Sequence, residues 1–117
     1  MAIYTQECVY PIVMHNFMTH DETVAWIFLS TALATRTEPT NMSGISMVAD
    51  GINHAVPTQK EFQTSFSWLT KKGLVEKKGK KYSLTADGKT EFDKASQNTE
   101  NLLEIWQNLE KEIKNYA

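Results

Sequence analysis

The side chains with the most evident chemistry are lysines. Seven of the twelve basic residues fall within 21 positions, LTKKGLVEKKGKKYSLTADGK, Leu69 to Lys89. Between 71 and 81, six lysines face a single acid, Glu76, a surplus of five positive charges. A lysine ammonium is a mobile point charge. It suits phosphate oxygens and is poor at reading the flat edges of bases. Lys77, Lys78, Lys80 and Lys81 flank Gly79 and are the candidate polyanion contacts. The competing reading is an edge hairpin whose lysines guard it against aggregation.

A second set lies just before these lysines. Phe62, Phe66 and Leu69 recur at i, i+4 and i+7, one apolar stripe of a helix. Thr58, Gln59, Lys60, Gln63, Thr64 and Ser67 fall away from that stripe. Glutamine can pair with adenine edges, and Thr58 and Lys60 stand at a helix N-terminus, where N–H groups favour phosphate. The same six residues also describe an ordinary solvated helix face. No arginine, the usual reader of guanine, occurs from 58 to 72. Trp68 beside the stripe reads as packing, under the hairpin, rather than as a base-stacking group.

Other chemistry is thin. His15 and His20 stand five apart near Asp21 and Glu22, without the HExxH spacing of a helical zinc site. His54 reads as a turn residue. Cys8, the one cysteine, has no basic neighbour to lower its pKa and forms neither an intramolecular disulfide nor a thiolate cluster. There is no phosphate-binding glycine loop, no dinucleotide fingerprint and no nucleophile elbow. The expectation is a protein without catalytic residues, metal or cofactor.

The bulk numbers bound the rest. A chain of 117 residues, 41% hydrophobic and 22% charged, fits one soluble domain. The N-terminal twenty residues are apolar but lack Lys and Arg, unlike a secretory signal. The longest apolar run, Val24 to Leu29, is far short of a membrane span. Together with the single cysteine this suggests the cytoplasm and no membrane partner. The net charge of −2 is unevenly spread. Residues 58–94 carry nine lysines against five acids, while the segments on both sides are acidic. Such asymmetry points to a polyanion patch on one segment.

Five elements must position these residues. Thr19-His20-Asp21-Glu22 is a capping box opening a helix, TVAWIFLSTALAT, that is apolar on nearly every face. Such a helix is buried in the core or at a subunit contact. Arg36 to Thr40 reads as a loop. Ile45, Val48, Ala49 and Ile52 predict a short helix over 43–53, capped by Asn41 or Ser43, then a tight turn at Asn53-His54 before Pro57. Thr58 to Glu61 is a second capping box, and its helix stops at Gly73. Leu74–Lys78 and Lys80–Thr85 read as a hairpin turning at Gly79, with Tyr82 and Leu84 inward. Thr85 caps a last helical stretch, with a break near Ser96–Thr99. There Leu102, Trp106, Leu109, Ile113 and Tyr116 step by four and three, a seam about two heptads long.

The order helix, tight turn, capped helix, Gly-Leu-Val and basic hairpin resembles the winged helix-turn-helix domain, broadly in the style of PadR and MarR regulators. The words that carry the likeness are FSWLTKKGLVEKKGKKYSLTADGKTEF, including the Leu-Thr-x-x-Gly step at Leu84 to Gly88. The phrase VADGINHAVP lacks the usual Ala-x-x-x-Gly of a simple helix-turn-helix and resembles a turn in winged-helix-like bacterial proteins. The likeness covers about 40–94, with Thr19–Thr35 as the first helix.

The fold it implies is mainly α with a small β-hairpin: a winged helix-turn-helix with a long C-terminal helix. Residues 1–18 form an apolar arm, 19–94 the domain, and 95–117 a C-terminal dimerisation helix. The function it implies is a DNA-binding transcriptional regulator. It would have recognition helix 58–72, basic wing 75–84, double-stranded DNA as partner and a homodimer seamed by Leu102, Trp106, Leu109, Ile113 and Tyr116. The alternative is a winged-helix module for protein–protein contact, favoured by a pI near 5.9. The sequence is silent on any small-molecule effector.

Overall fold

The computed structural model describes residues 18–116. The expectations for residues 1–17 of the apolar arm, Cys8 and His15 among them, fall outside the described residues. Within them the chain is mainly helical, with five α-helices and one two-stranded antiparallel hairpin. The order is α1 (His20–Ala34), α2 (Met42–Asn53), α3 (Gln59–Lys71), β1 (Val75–Lys78), β2 (Lys81–Leu84), α4 (Ala86–Ser96) and α5 (Leu102–Tyr116).

Helix α1 resolves the choice between core and subunit contact: it is the hub of the core. Every residue from Val24 to Ala32 is buried, and α1 touches all four other helices and β2. This explains why its sequence is apolar all round. Two polar residues inside it are satisfied along the helix. Ser30 donates to the Trp26 carbonyl at 2.7 Å and Thr31 to that of Ile27 at 2.8 Å. Trp26 reaches out of α1 to donate its Nε1–H to the Ala49 carbonyl on α2, 3.0 Å away.

Local signals set the element ends. The capping boxes form at Thr19/Glu22 and Thr58/Glu61, each hydroxyl accepting from the third residue while each Glu carboxylate accepts from the cap N–H. Asn41, rather than Ser43, caps α2, its side chain accepting from Gly44 N. Helix α2 ends with His54 in the left-handed region at φ 55°, its N–H donating to the Asp50 carbonyl. Gly73, at φ 77°, closes α3. Its N–H donates to the Thr70 carbonyl and that of Leu74 to the Leu69 carbonyl, the two bonds of a Schellman stop. Residues 97–101 separate α4 from α5, with Asn98 at φ 69°.

The hairpin pairs Val75 with Leu84, Glu76 with Ser83, Lys77 with Tyr82 and Lys78 with Lys81. Gly79, at φ 64°, supplies the first turn residue. One feature departs from the sequence reading. Thr40, expected in a plain loop, forms an antiparallel bridge to Tyr82, with Tyr82 N–H to Thr40 O at 2.7 Å and the return bond at 3.2 Å. The hairpin is thereby tied to the start of α2.

Helices α4 and α5 are clasped by a charged cluster. Lys94 Nζ lies 3.0 Å from Glu112 and 3.5 Å from Glu91, and the Tyr116 hydroxyl donates to Glu91 at 3.1 Å. The neighbouring Glu112 carboxyl, and then burial, hold the Glu91 pKa above the usual carboxylate value. Glu112 is held below it by the Glu91 carboxyl and by Lys94. Burial, then the Glu91 contact, raises Tyr116.

Candidate nucleic-acid interface

Helix α3 buries Phe62, Ser65, Phe66 and Leu69 and leaves Gln59, Lys60, Gln63, Thr64, Ser67, Thr70 and Lys71 exposed. The six polar residues named from sequence therefore share the outer surface, with one qualification. The Thr58 hydroxyl is occupied as the cap, accepting from Glu61 N at 3.1 Å. Gln63, Thr64, Ser67 and Lys71 line a shallow groove whose other walls are His20 and Trp68. Lys60, Thr64, Ser67 and Lys71 follow one another at helical spacing along this surface.

The hairpin brings its lysines to one tip. Lys77, Lys78, Lys80 and Lys81 are all exposed, and register places Lys78 directly opposite Lys81. Like charges facing across a ladder repel unless something negative lies near. Glu76, two residues before Lys78 on the same face of the hairpin, forms no ion pair with it. Among the described residues the ion pairs are His20 with Asp21, Lys94 with Glu91 and Glu112, and Lys114 with Glu110. None involves a hairpin lysine. Lys77 Nζ lies 5.5 Å from the centre of the Tyr82 ring, a cation–π contact that leaves the ammonium in solvent.

Helix and hairpin are joined by stacked rings. Phe66 of α3 lies 4.3 Å, centre to centre, from Tyr82 of β2, and Phe62 continues the stack at 5.6 Å from Phe66. Phe66 thus fills the place under the hairpin that the sequence reading gave to Trp68. Trp68 is half-buried elsewhere, edge-on to His20 and to Tyr116 at the end of α5, with Lys72 5.7 Å above its ring. Helical spacing alone does not say which neighbour an aromatic will meet.

The five residues expected to seam a dimer divide. Leu109 and Ile113 are buried within the chain. Trp106 stacks on Trp26 at 6.3 Å and donates Nε1–H to the Glu22 carbonyl at 2.9 Å, and Tyr116 binds Glu91. Leu102 remains outside, 42% exposed, next to Leu103 at 60%. Ile105, outside the expected seam, is buried in its place. The stripe of α5 is thus covered largely by α1 and α4 of the same chain.

Among the described residues no group of three His, Cys, Asp or Glu is arranged to hold a metal, and no helix is long and apolar enough to cross a membrane. No protein family, no curated protein and no solved structure matches the chain.

Proposed function

We propose that this chain is a winged helix-turn-helix protein that binds double-stranded DNA as a transcriptional regulator. Helix α3 is the recognition helix and would lie in the major groove. The β1–β2 hairpin is the wing and would meet the flanking phosphates. The reading is supported above all by the hairpin tip: four exposed lysines without a carboxylate partner, two of them directly opposed. A phosphate between Lys78 and Lys81 would turn a repulsion into two charge-assisted contacts.

The remaining geometry suits the same reading. The Phe66–Tyr82 stack and the Thr40–Tyr82 bridge hold the wing to α3 and to the start of α2, so the two contact surfaces would dock as one body. Gln59, Gln63, Thr64 and Ser67 offer hydrogen bonds to base edges, and Lys60 and Lys71 offer charge at either end of the helix. Without arginine on this face, affinity would come more from phosphate contacts than from base reading. A homodimer would set two α3 helices about one helical turn apart on DNA. With the inner face of α5 used within the chain, Leu102 and Leu103 are the exposed apolar residues of α5 left for that contact.

A second reading, a winged helix that docks a protein, is favoured by the acidic pI and by exposed Met47 and Val56. Fluorescence anisotropy of labelled duplexes at low salt separates the two. Saturable binding supports the first reading. Its absence, with a stoichiometric protein partner co-purifying, supports the second.

A further inference from the structure

Behind the wing, away from the α3 groove, lies a cavity of about 500 Å³. That size is within the range of small-molecule sites. Its apolar lining comes from Ala32, Pro39, Leu84 and Phe92, on α1, the α1–α2 connection, β2 and α4. Six charged side chains ring it: Arg36, Lys78 and Lys89, and Glu38, Glu76 and Asp93. They come from the α1–α2 connection, β1 and α4, so only the fold brings them together.

The ring has three cations and three carboxylates, yet none of the six is ion-paired or hydrogen-bonded through its side chain to a described residue. Six charges of both signs around one apolar cavity, all uncommitted, form a lining that matches neither a simple anion nor a simple cation. An anion would meet three carboxylates and a cation three basic groups. A ligand carrying both charges on an apolar body would satisfy both halves of the ring.

We propose that this cavity binds a zwitterionic small molecule of amino-acid or dipeptide size. Its apolar side chain would rest against Ala32, Leu84 and Phe92. Its carboxylate would turn to Arg36 or Lys89 and its ammonium to Asp93 or Glu38. The ring shares Lys78 with the wing, but the contacts assigned to the ligand, at Arg36, Lys89, Asp93 and Glu38, stand without the DNA reading.

Isothermal titration calorimetry of the full chain tests this with L-phenylalanine and the dipeptide leucyl-phenylalanine as probes. N-acetylphenylalanine, which lacks the cation, and phenylalanine amide, which lacks the carboxylate, are the controls. At least one zwitterion should bind, and each blocked form should bind about tenfold more weakly, the loss of one charge-assisted contact. Arg36→Gln and Asp93→Asn, both at exposed positions, should each weaken the zwitterion by about the same factor. Amide NMR shifts should concentrate at Ser83, Leu84 and Phe92. No binding of either zwitterion at roughly 10 mM overturns the proposal. So does equal binding of the blocked forms, or amide shifts centred away from these residues.

Discussion

Replacing Gly88 by alanine should destabilise the protein by about 2 kcal/mol, although alanine is the better helix former. Gly88 lies in α4, where the helix crosses the residue that leads into the hairpin. A Cβ at this position would run into the Leu74 carbonyl oxygen, 3.0 Å from its carbon and 3.3 Å from Leu84 Cβ. The obstacle is main chain and cannot swing aside. That carbonyl also accepts from Thr85 N at 3.1 Å, and Gly88 N donates to Thr85 Oγ1 at 3.0 Å, so moving α4 away strains two further bonds. Overpacking of this kind costs about 3 kcal/mol, and removing a helical glycine returns about 1. The difference should lower Tm by roughly 8 °C. Gly51→Ala is the control, because a Cβ there meets nothing within 4 Å. It should stabilise by up to about 1 kcal/mol. Urea and thermal melts of the two variants read both effects. If Gly88→Ala proves as stable as wild type, the close approach of α4 to the hairpin is wrong.

Other perturbations have equally defined outcomes. Trp106→Phe removes the bond to the Glu22 carbonyl and part of the stack on Trp26. It should cost about 2 kcal/mol in a urea melt, and an unchanged midpoint would show that α5 does not rest on α1 as described. Ser65 Oγ is buried without a hydrogen-bond partner, so Ser65→Ala should be neutral or stabilise by up to about 1 kcal/mol, whereas a clear loss would mean the hydroxyl is bonded. In the α4–α5 clasp, the raised Glu91 contributes stability while protonated and loses it as pH rises through its folded pKa. The lowered Glu112 contributes stability above the usual carboxylate value and loses it as pH falls. Lys94 and Tyr116, with Asp87 nearby, are the other titrating groups there. Glu91→Gln should therefore flatten the loss of stability as pH rises above the usual carboxylate value, and Glu112→Gln should lower stability at neutral pH by depriving Lys94 of a carboxylate. Melts below and above the usual carboxylate value decide, and identical pH profiles for both variants and wild type would refute this account of the clasp.

What the sequence made legible was mostly local. A capping box is contained in four residues, so Thr19/Glu22 and Thr58/Glu61 marked two helix starts without reference to the rest of the chain. Gly73 and Gly79 did the same for a stop and a turn, because only glycine adopts those angles at little cost. What stayed hidden was what covers what. The steps from Leu102 to Tyr116 showed that these residues share a face. They did not show that α1 and α4 of the same chain would cover most of it. Nor did periodicity reveal that Phe66, and not Trp68, would meet Tyr82. The Thr40–Tyr82 bridge is a single residue pair and leaves no pattern to find. At the candidate interface the lysines were plain from composition, but the opposition of Lys78 and Lys81 emerges only from the register that the Gly79 turn imposes. Gly88 was visible as part of a motif, while its reason, the nearby Leu74 carbonyl, was not.

The central claim, that the lysine tip grips phosphate, is tested most directly by the salt dependence of duplex binding. Anisotropy titrations would compare wild type with a variant carrying Lys77→Glu, Lys78→Glu, Lys80→Glu and Lys81→Glu. Four phosphate contacts predict that log K falls with log salt at a slope of about −3.6, roughly a hundredfold between 50 and 200 mM. In the variant, binding should be abolished, or any residue of it should show a much shallower slope. Equal affinity and equal slope for the two proteins would contradict the account.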